Sequence, residues 1–361
     1  MSRYFTKTLA ALEPYTPGEQ LKIDNLVKLN ANENPYPPAP GVAAAVAAAV
    51  PGLRLYSDLT NAELNKAIAA HWGVQPENVL CGNGSDENLL LALRAFCDEN
   101  TPLAFADITY SFYPVLCDLL HIPQHILPLE KDFTIDLRKY QGLHETIVIA
   151  NPNAPTSLLV PVDAIEEVLR TNPDNIVIVD ETYIEFAPAG STCLPLLEKY
   201  DNLVITHTFS KTHNLAGARL GFCLARPELI ADMNRVKFSY SPYNINAMSE
   251  AAGAAAMDDE AYFEKTVAAI CETRAETAAE LRRRGFTVLD SATNFLFART
   301  PRCPGGALCA ALRDRGVLIR HFDAPRIADW VRISIGAPAQ MQRLFDEMDA
   351  VMGSHTKEVL Q

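Results

Sequence analysis

Through the middle of the chain, short runs of aliphatic and β-branched residues alternate with segments whose apolar positions recur at helical spacing. The runs predict strands at Asn78–Cys81, Leu103–Ala106, Thr146–Ala150, Ile176–Asp180, Leu203–Thr208 and Gly221–Ala225. Helix-like segments lie between several of them, at Glu87–Phe96, Val162–Arg170 and Ser191–Lys199. The run Ile176–Asp180 stays apolar until its last residue, as in a strand buried on both faces of a parallel sheet. Such alternation predicts an α/β domain with a mostly parallel sheet flanked by helices. The alanine-rich tract Val42–Val50, closed by Pro51, reads as a further helix.

The pattern then changes. One long amphipathic helix is predicted over Ala261–Arg284, stopped by Gly285. Four apolar runs follow, FTVLD, NFLFART, GVLIRHF and WVRISIG, with a helix-like segment at Gly306–Arg315 before the third. Clustering of this kind predicts a smaller α+β domain. A chain of 361 residues also exceeds the size at which one core usually keeps growing. The expected division is an arm over residues 1–30 packed on the small domain, a large domain over 31–258, and the small domain over 259–361.

Composition narrows the function classes. Hydrophobic residues make up 48% and charged residues 21%, as in a globular protein, and the net charge of −13 argues against a nucleic-acid partner. No apolar run is long enough for a signal peptide or a membrane span. The eight cysteines form no C-x-x-C pair and sit mostly in apolar segments, which predicts reduced thiols in a cytoplasmic chain. No metal site is expected. His121 and His125 have helical ligand spacing, but Pro123 between them disfavours a continuous helix, and His144-Glu145 lacks a second histidine.

Open α/β sheets bind ligands at the C-terminal ends of their strands, and these ends carry an unusual set of residues. Cys81-Gly82-Asn83-Gly84-Ser85-Asp86-Glu87 is either an ordinary strand-to-helix turn or a backbone cradle for an anion. It is not the dinucleotide fingerprint, because Glu87 stands where the last glycine is needed. Tyr110 is a packing residue or a ring that stacks on a planar ligand. Asp180 is a cap, a metal ligand or the partner of a cationic ligand atom, and Tyr183 lies close enough in sequence to help it. Lys211, after Thr208-Phe209-Ser210, is a solvated surface lysine or a desolvated nucleophile. Arg219, between Gly217 and Gly221, can reach an anion held by Ser210 and the glycine turn. Taken together, the set fits one ligand: pyridoxal phosphate needs a lysine for its aldehyde, an anion site, a carboxylate for its ring nitrogen and an aromatic face.

Nearly the whole chain resembles the fold-type I pyridoxal-phosphate aminotransferases, and within them the histidinol-phosphate aminotransferase family. The resemblance rests on LNANENPYPP, RLYSDL, CGNGSDE, DITYSFYP, NPNAPTS, VDETYIEF, TFSKTHNLAGARLGF, SPYNIN, TNFLF, GVLIR and VRISIG, all in the family's order. It implies that Lys211 forms the Schiff base and then serves as general acid/base, that Asp180 pairs with the pyridine nitrogen, and that Tyr183 bonds the ring hydroxyl. Tyr110 would stack on the ring. Thr208, Ser210 and Arg219, with Ser85, Asp86 and Glu87 through backbone groups, would hold the phosphate end. Tyr56 would reach the cofactor of a neighbouring subunit in a homodimer. Arg320 and Arg332 would receive anionic groups of the substrate, helped by Tyr15 and Asn32. Two departures stand out. Ala154 occupies the family's asparagine position, which leaves Asn153 as the substitute ligand, and His213-Asn214 replaces small or apolar residues.

The expected reaction is a ping-pong transamination between a small-molecule amino donor and an oxo acceptor. An aromatic amino-acid aminotransferase and a threonine-phosphate decarboxylase-like lyase keep the cofactor and change the substrate. A nicotinamide-dependent dehydrogenase and a silent binding protein are the competing classes, and both predict a colourless protein.

Overall fold

A computed structural model describes residues 2–358, with side chains described to Gly353. Its centre is a seven-stranded sheet in the order 79–82, 221–225, 203–208, 177–180, 146–150, 103–106, 124–127. Only Gly221–Ala225 runs against the others, being antiparallel to both neighbours. Both faces of the sheet are covered. Ile147, Ile149, Val177, Val179, Leu203 and Ile205 join the core on one face, and Val148, Ile178 and Val204 join that on the other. This explains the uninterrupted apolar runs.

The second sheet has four antiparallel strands, in the order Arg320–His321, Val331–Ser334, Phe295–Arg299, Thr287–Val288. Phe295, Leu296, Val331 and Ile333 share a core with Leu344 and Met348 of the helix Pro338–Glu358. The N-terminal segment runs to a short strand, Val27–Lys28, that pairs in parallel with Val317–Leu318. Further on, Arg313 holds Glu19, and Arg320 donates to the carbonyls of Thr16 and Pro17 at 2.9 and 3.1 Å.

The structure departs from the sequence expectations at several elements. Ser191–Lys199 is not an α-helix; only a 3-10 turn, Leu194–Glu198, forms there, with Pro195 in its first turn. GVLIRHF splits into two strands of different sheets, Val317–Leu318 and Arg320–His321. The edge strand Gln124–Leu127 escaped notice because three of its four residues face outward or are half-exposed, so polar residues interrupt the run. Helices at Ala62–Trp72, Phe112–Leu120, Pro227–Tyr240 and Ala247–Met257 were likewise not anticipated. The long helix is found at Glu260–Arg283, with the Asp259 side chain accepting from the Tyr262 N–H as its cap.

Candidate active site

Register brings the strand ends together. Ala150 lies opposite Asp180, Asp180 opposite Thr206, and Thr208 and Gly82 both opposite Gly221. Above this edge opens a cavity of about 460 Å³, lined from the central sheet, the N-terminal segment and the second sheet. Lys211, Asp180, Tyr183, Tyr110, Ser85, Asp86, Thr208, Ser210, Arg219, Tyr15, Asn32, Arg320 and Arg332 all contribute to its wall.

Lys211 follows the strand Leu203–Thr208, and its Nζ donates to the Ala31 carbonyl at 3.0 Å. Burial, aided by the Arg332 charge, lowers its pKa to about 8. Asp180 sits at the end of its own strand, 5% exposed. Its Oδ1 accepts from the Thr182 hydroxyl at 2.7 Å and its Oδ2 from the Tyr113 hydroxyl at 2.8 Å. Burial raises its pKa, and these bonds oppose the rise. A fully buried carboxylate so placed favours a cationic partner. Tyr183 accepts at its hydroxyl from Asn32 Nδ2 at 2.9 Å. Asn32 in turn has its backbone N–H on Ser334 Oγ and its carbonyl on Asn294 Nδ2, which ties it to the second sheet.

The helix Ser85–Phe96 begins at the cavity, and no side chain caps its N-terminus. Its first N–H groups and the positive end of its dipole therefore face the space beside Ser85, Ser210 and Arg219. Gly84 at φ +85° makes the approach close: a Cβ there would lie 2.6 Å from the Arg219 guanidinium. The Tyr110 hydroxyl donates to Asp86 at 2.9 Å, and Asp86 also pairs with Arg219 at 3.4 Å. Arg332, above the rings of Phe295 and Phe322, donates to the Asn30 carbonyl at 3.0 Å, while its buried Nε has no partner among the described residues.

Three expected residues stand elsewhere. Asn153 does not line the cavity. Its amide donates to the Ile108 carbonyl and to Thr156 Oγ1, and its oxygen accepts from Thr109. The Asn153 side chain is engaged by Ile108, Thr109 and Thr156, and Ala154 and Pro155 face the cavity. The Glu87 carboxylate also points away, accepting from the Asn83 N–H and from Asn244 Nδ2, so only its backbone is available. Tyr56, 82% exposed, stacks on Tyr243 outside the cavity. Tyr113 and Thr182, which hold Asp180, were overlooked. So was the ion pair Lys28–Glu33 in the cavity wall. Nothing in their residue types sets them apart from packing or surface positions.

An amine of lowered pKa, a buried carboxylate, an uncapped helix N-terminus with hydroxyls and an arginine, and an aromatic ring converge on one cavity. They fit pyridoxal phosphate group by group. Fold and site together define a fold-type I pyridoxal-phosphate enzyme. Residues 24–348 match the model of the family "Aminotransferase class I and II". Histidinol-phosphate aminotransferase 1 of Pseudomonas aeruginosa is 43% identical over 349 residues, which cover 96% of this chain and 99% of that protein. Histidinol-phosphate aminotransferase 2 of Dechloromonas aromatica is 44% identical over 359 residues, covering 98% and 100%. Among solved structures, histidinol-phosphate aminotransferase from Sinorhizobium meliloti, in complex with pyridoxal-5'-phosphate, superposes with a TM-score of 0.84. It covers 99% of both chains at 23% identity, a likeness that concerns the fold. The chain belongs to the class I and II aminotransferases and, within them, to the histidinol-phosphate aminotransferase family. It is a pyridoxal-phosphate-dependent transaminase.

Proposed function

We propose that the chain transfers the amino group of histidinol phosphate to 2-oxoglutarate, giving imidazole acetol phosphate and glutamate, in histidine biosynthesis. The observation that carries the substrate reading is the 43–44% identity to histidinol-phosphate aminotransferases over almost the full length. When bound, pyridoxal phosphate supplies an aldehyde that condenses with amines and a protonated ring that withdraws electrons from the substrate α-carbon.

The remaining work falls to this chain's side chains. Lys211 Nζ, whose burial disfavours the ammonium form, would hold the cofactor and, once released, would take the proton from the substrate α-carbon. Asp180, pinned by Tyr113 and Thr182, keeps the proton on the ring nitrogen. Tyr183 orients the ring hydroxyl, and Tyr110 covers the ring face. The N–H groups at Ser85, Asp86 and Glu87, with Thr208, Ser210 and Arg219, bind the phosphate. Arg332 and Arg320 receive the anionic ends of both substrates, since a guanidinium fork accepts a carboxylate or a phosphate. Tyr15 and Asn32 close the substrate side.

The same reading makes residues 1–30 an arm on a small domain at 259–361, beside a large domain at 31–258. It makes the enzyme a cytoplasmic homodimer in which Tyr56 reaches the partner's cofactor. Among the described residues no helix is long and apolar enough to cross a membrane.

An amino-donor screen tests the substrate. Histidinol phosphate should drive turnover well above phenylalanine; the reverse order overturns the proposal. Borohydride should fix the cofactor on Lys211, and Lys211→Ala should lower transamination by about 10²-fold or more. Parental rates in that variant would refute the assigned role.

A further inference from the structure

Behind Lys211, outside the cavity wall, three side chains from distant parts of the chain converge: His71, Glu185 and His213. His71 lies at the end of the helix Ala62–Trp72, Glu185 in the turn Ile184–Phe186, and His213 two residues after Lys211. Their donor atoms all lie within 4.8 Å of one another. Glu185 Oε1 is 3.6 Å from His213 Nε2 and 3.9 Å from His71 Nε2. Both Glu185 Oε1 and His213 Nε2 are buried and have no hydrogen-bond partner among the described residues. Two buried polar atoms aimed at one point need a common partner, because an unsatisfied one is costly.

The distances favour one of two available partners. A shared proton would draw nitrogen and oxygen to about 2.7–3.2 Å. A metal bound by nitrogen and oxygen at about 2.0–2.2 Å instead places tetrahedral neighbours roughly 3.4 Å apart. The observed 3.6 and 3.9 Å lie nearer the second value. The His71–His213 pair, within 4.8 Å, has to close by up to about 1.4 Å to meet the same geometry.

The surroundings are those of a ligand set. His71 Nδ1 pairs with Glu260 at 2.8 Å, which fixes the tautomer that leaves Nε2 facing Glu185. Thr212 Oγ1 donates to the second oxygen of Glu185, leaving the first for the common point. A small cleft lined by Thr212, His213, Asn214, Asp259, Tyr262 and Phe263 adjoins His213.

We propose that His71, Glu185 and His213 bind a divalent transition-metal ion of the zinc class, with a fourth position open to water. Two imidazoles and a carboxylate suit such an ion better than magnesium or calcium. The ion ties the helix Ala62–Trp72 and the turn Ile184–Phe186 to the segment that carries Lys211.

The test uses untagged holoenzyme, stripped with a chelator and titrated with Co²⁺. One ion should bind per chain, producing the visible d–d bands of a four- or five-coordinate site that Zn²⁺ displaces. His71→Asn and His213→Asn should each abolish the bands while keeping the cofactor's absorbance, which reports folding. Glu260→Gln should weaken binding by ~10–100-fold without abolishing it. No saturable band in the parent overturns the proposal. So does an equal band in the double variant H71N/H213N, which would put the ion elsewhere, for instance on the cofactor phosphate. Should the variants fail to fold, imidazole NMR of the parent decides. Saturating Zn²⁺ should remove the pH titration of both rings, and unchanged titration refutes the site.

Discussion

Lys211 and Asp180 line one cavity with their proton affinities displaced in opposite senses, both because burial penalises charge. For the lysine, the disfavoured form is the ammonium, so the neutral amine appears as pH rises through about 8 instead of the ordinary 10.5. Cofactor loading needs the neutral amine. The rate at which cofactor-free protein takes up pyridoxal phosphate should therefore climb with pH up to about 8 and level off above it. Stopped-flow absorbance reads this directly, and a rate still climbing near pH 10 would contradict the desolvated lysine. For Asp180, the hydroxyls of Tyr113 and Thr182 do the opposite work, stabilising the carboxylate that burial would protonate.

At the scale of elements, the anion cradle depends on how closely the helix Ser85–Phe96 meets the strand Gly221–Ala225. Neither glycine at this junction is replaceable without movement. A Cβ on Gly221 would meet the backbone of Ser85 and lie 2.5 Å from the carbonyl carbon of Gly84. The obstacle is main chain, so no side-chain rotation relieves it. Gly221→Ala should push the helix N-terminus away from the cavity and cost about 1–3 kcal/mol of stability, as overpacking typically does. Cofactor affinity should fall by about tenfold or more, since a 1.4 kcal/mol loss already gives that factor. Equilibrium titration with pyridoxal phosphate checks the prediction, and unchanged affinity would show that the junction does not position the cradle.

At the scale of the molecule, Leu53, Leu55, Tyr56, Tyr240 and Tyr243 are all exposed, Leu55 at 61% and Tyr56 at 82%, and the two rings Tyr56 and Tyr243 stack at 4.4 Å. Exposed apolar residues of this size suit an interaction surface. A homodimer that buries them agrees with the role proposed for Tyr56. Leu55→Asp should shift sedimentation toward the monomer, and activity should fall in proportion to the dimer lost. A fully active monomer at assay concentration would contradict both the interface and the shared site.

The chain's own order of residues determined the strands that build the central sheet, the long helix, and the reactive groups at the strand ends. Each leaves a local trace. A strand buried on both faces reads as an apolar run, as at Ile176–Asp180, and the lysine and aspartate stand directly after such runs. Edge strand Gln124–Leu127 left no such trace, because its outward residues obey solvent. Only the folded chain decided which partners the groups meet. Tyr113 reaches Asp180 across 67 positions, Asn153 donates to the Ile108 carbonyl 45 positions away, and His71, Glu185 and His213 converge from three segments. Periodicity records how deeply a residue is buried, whereas the neighbour it meets there is set by packing between elements far apart in sequence.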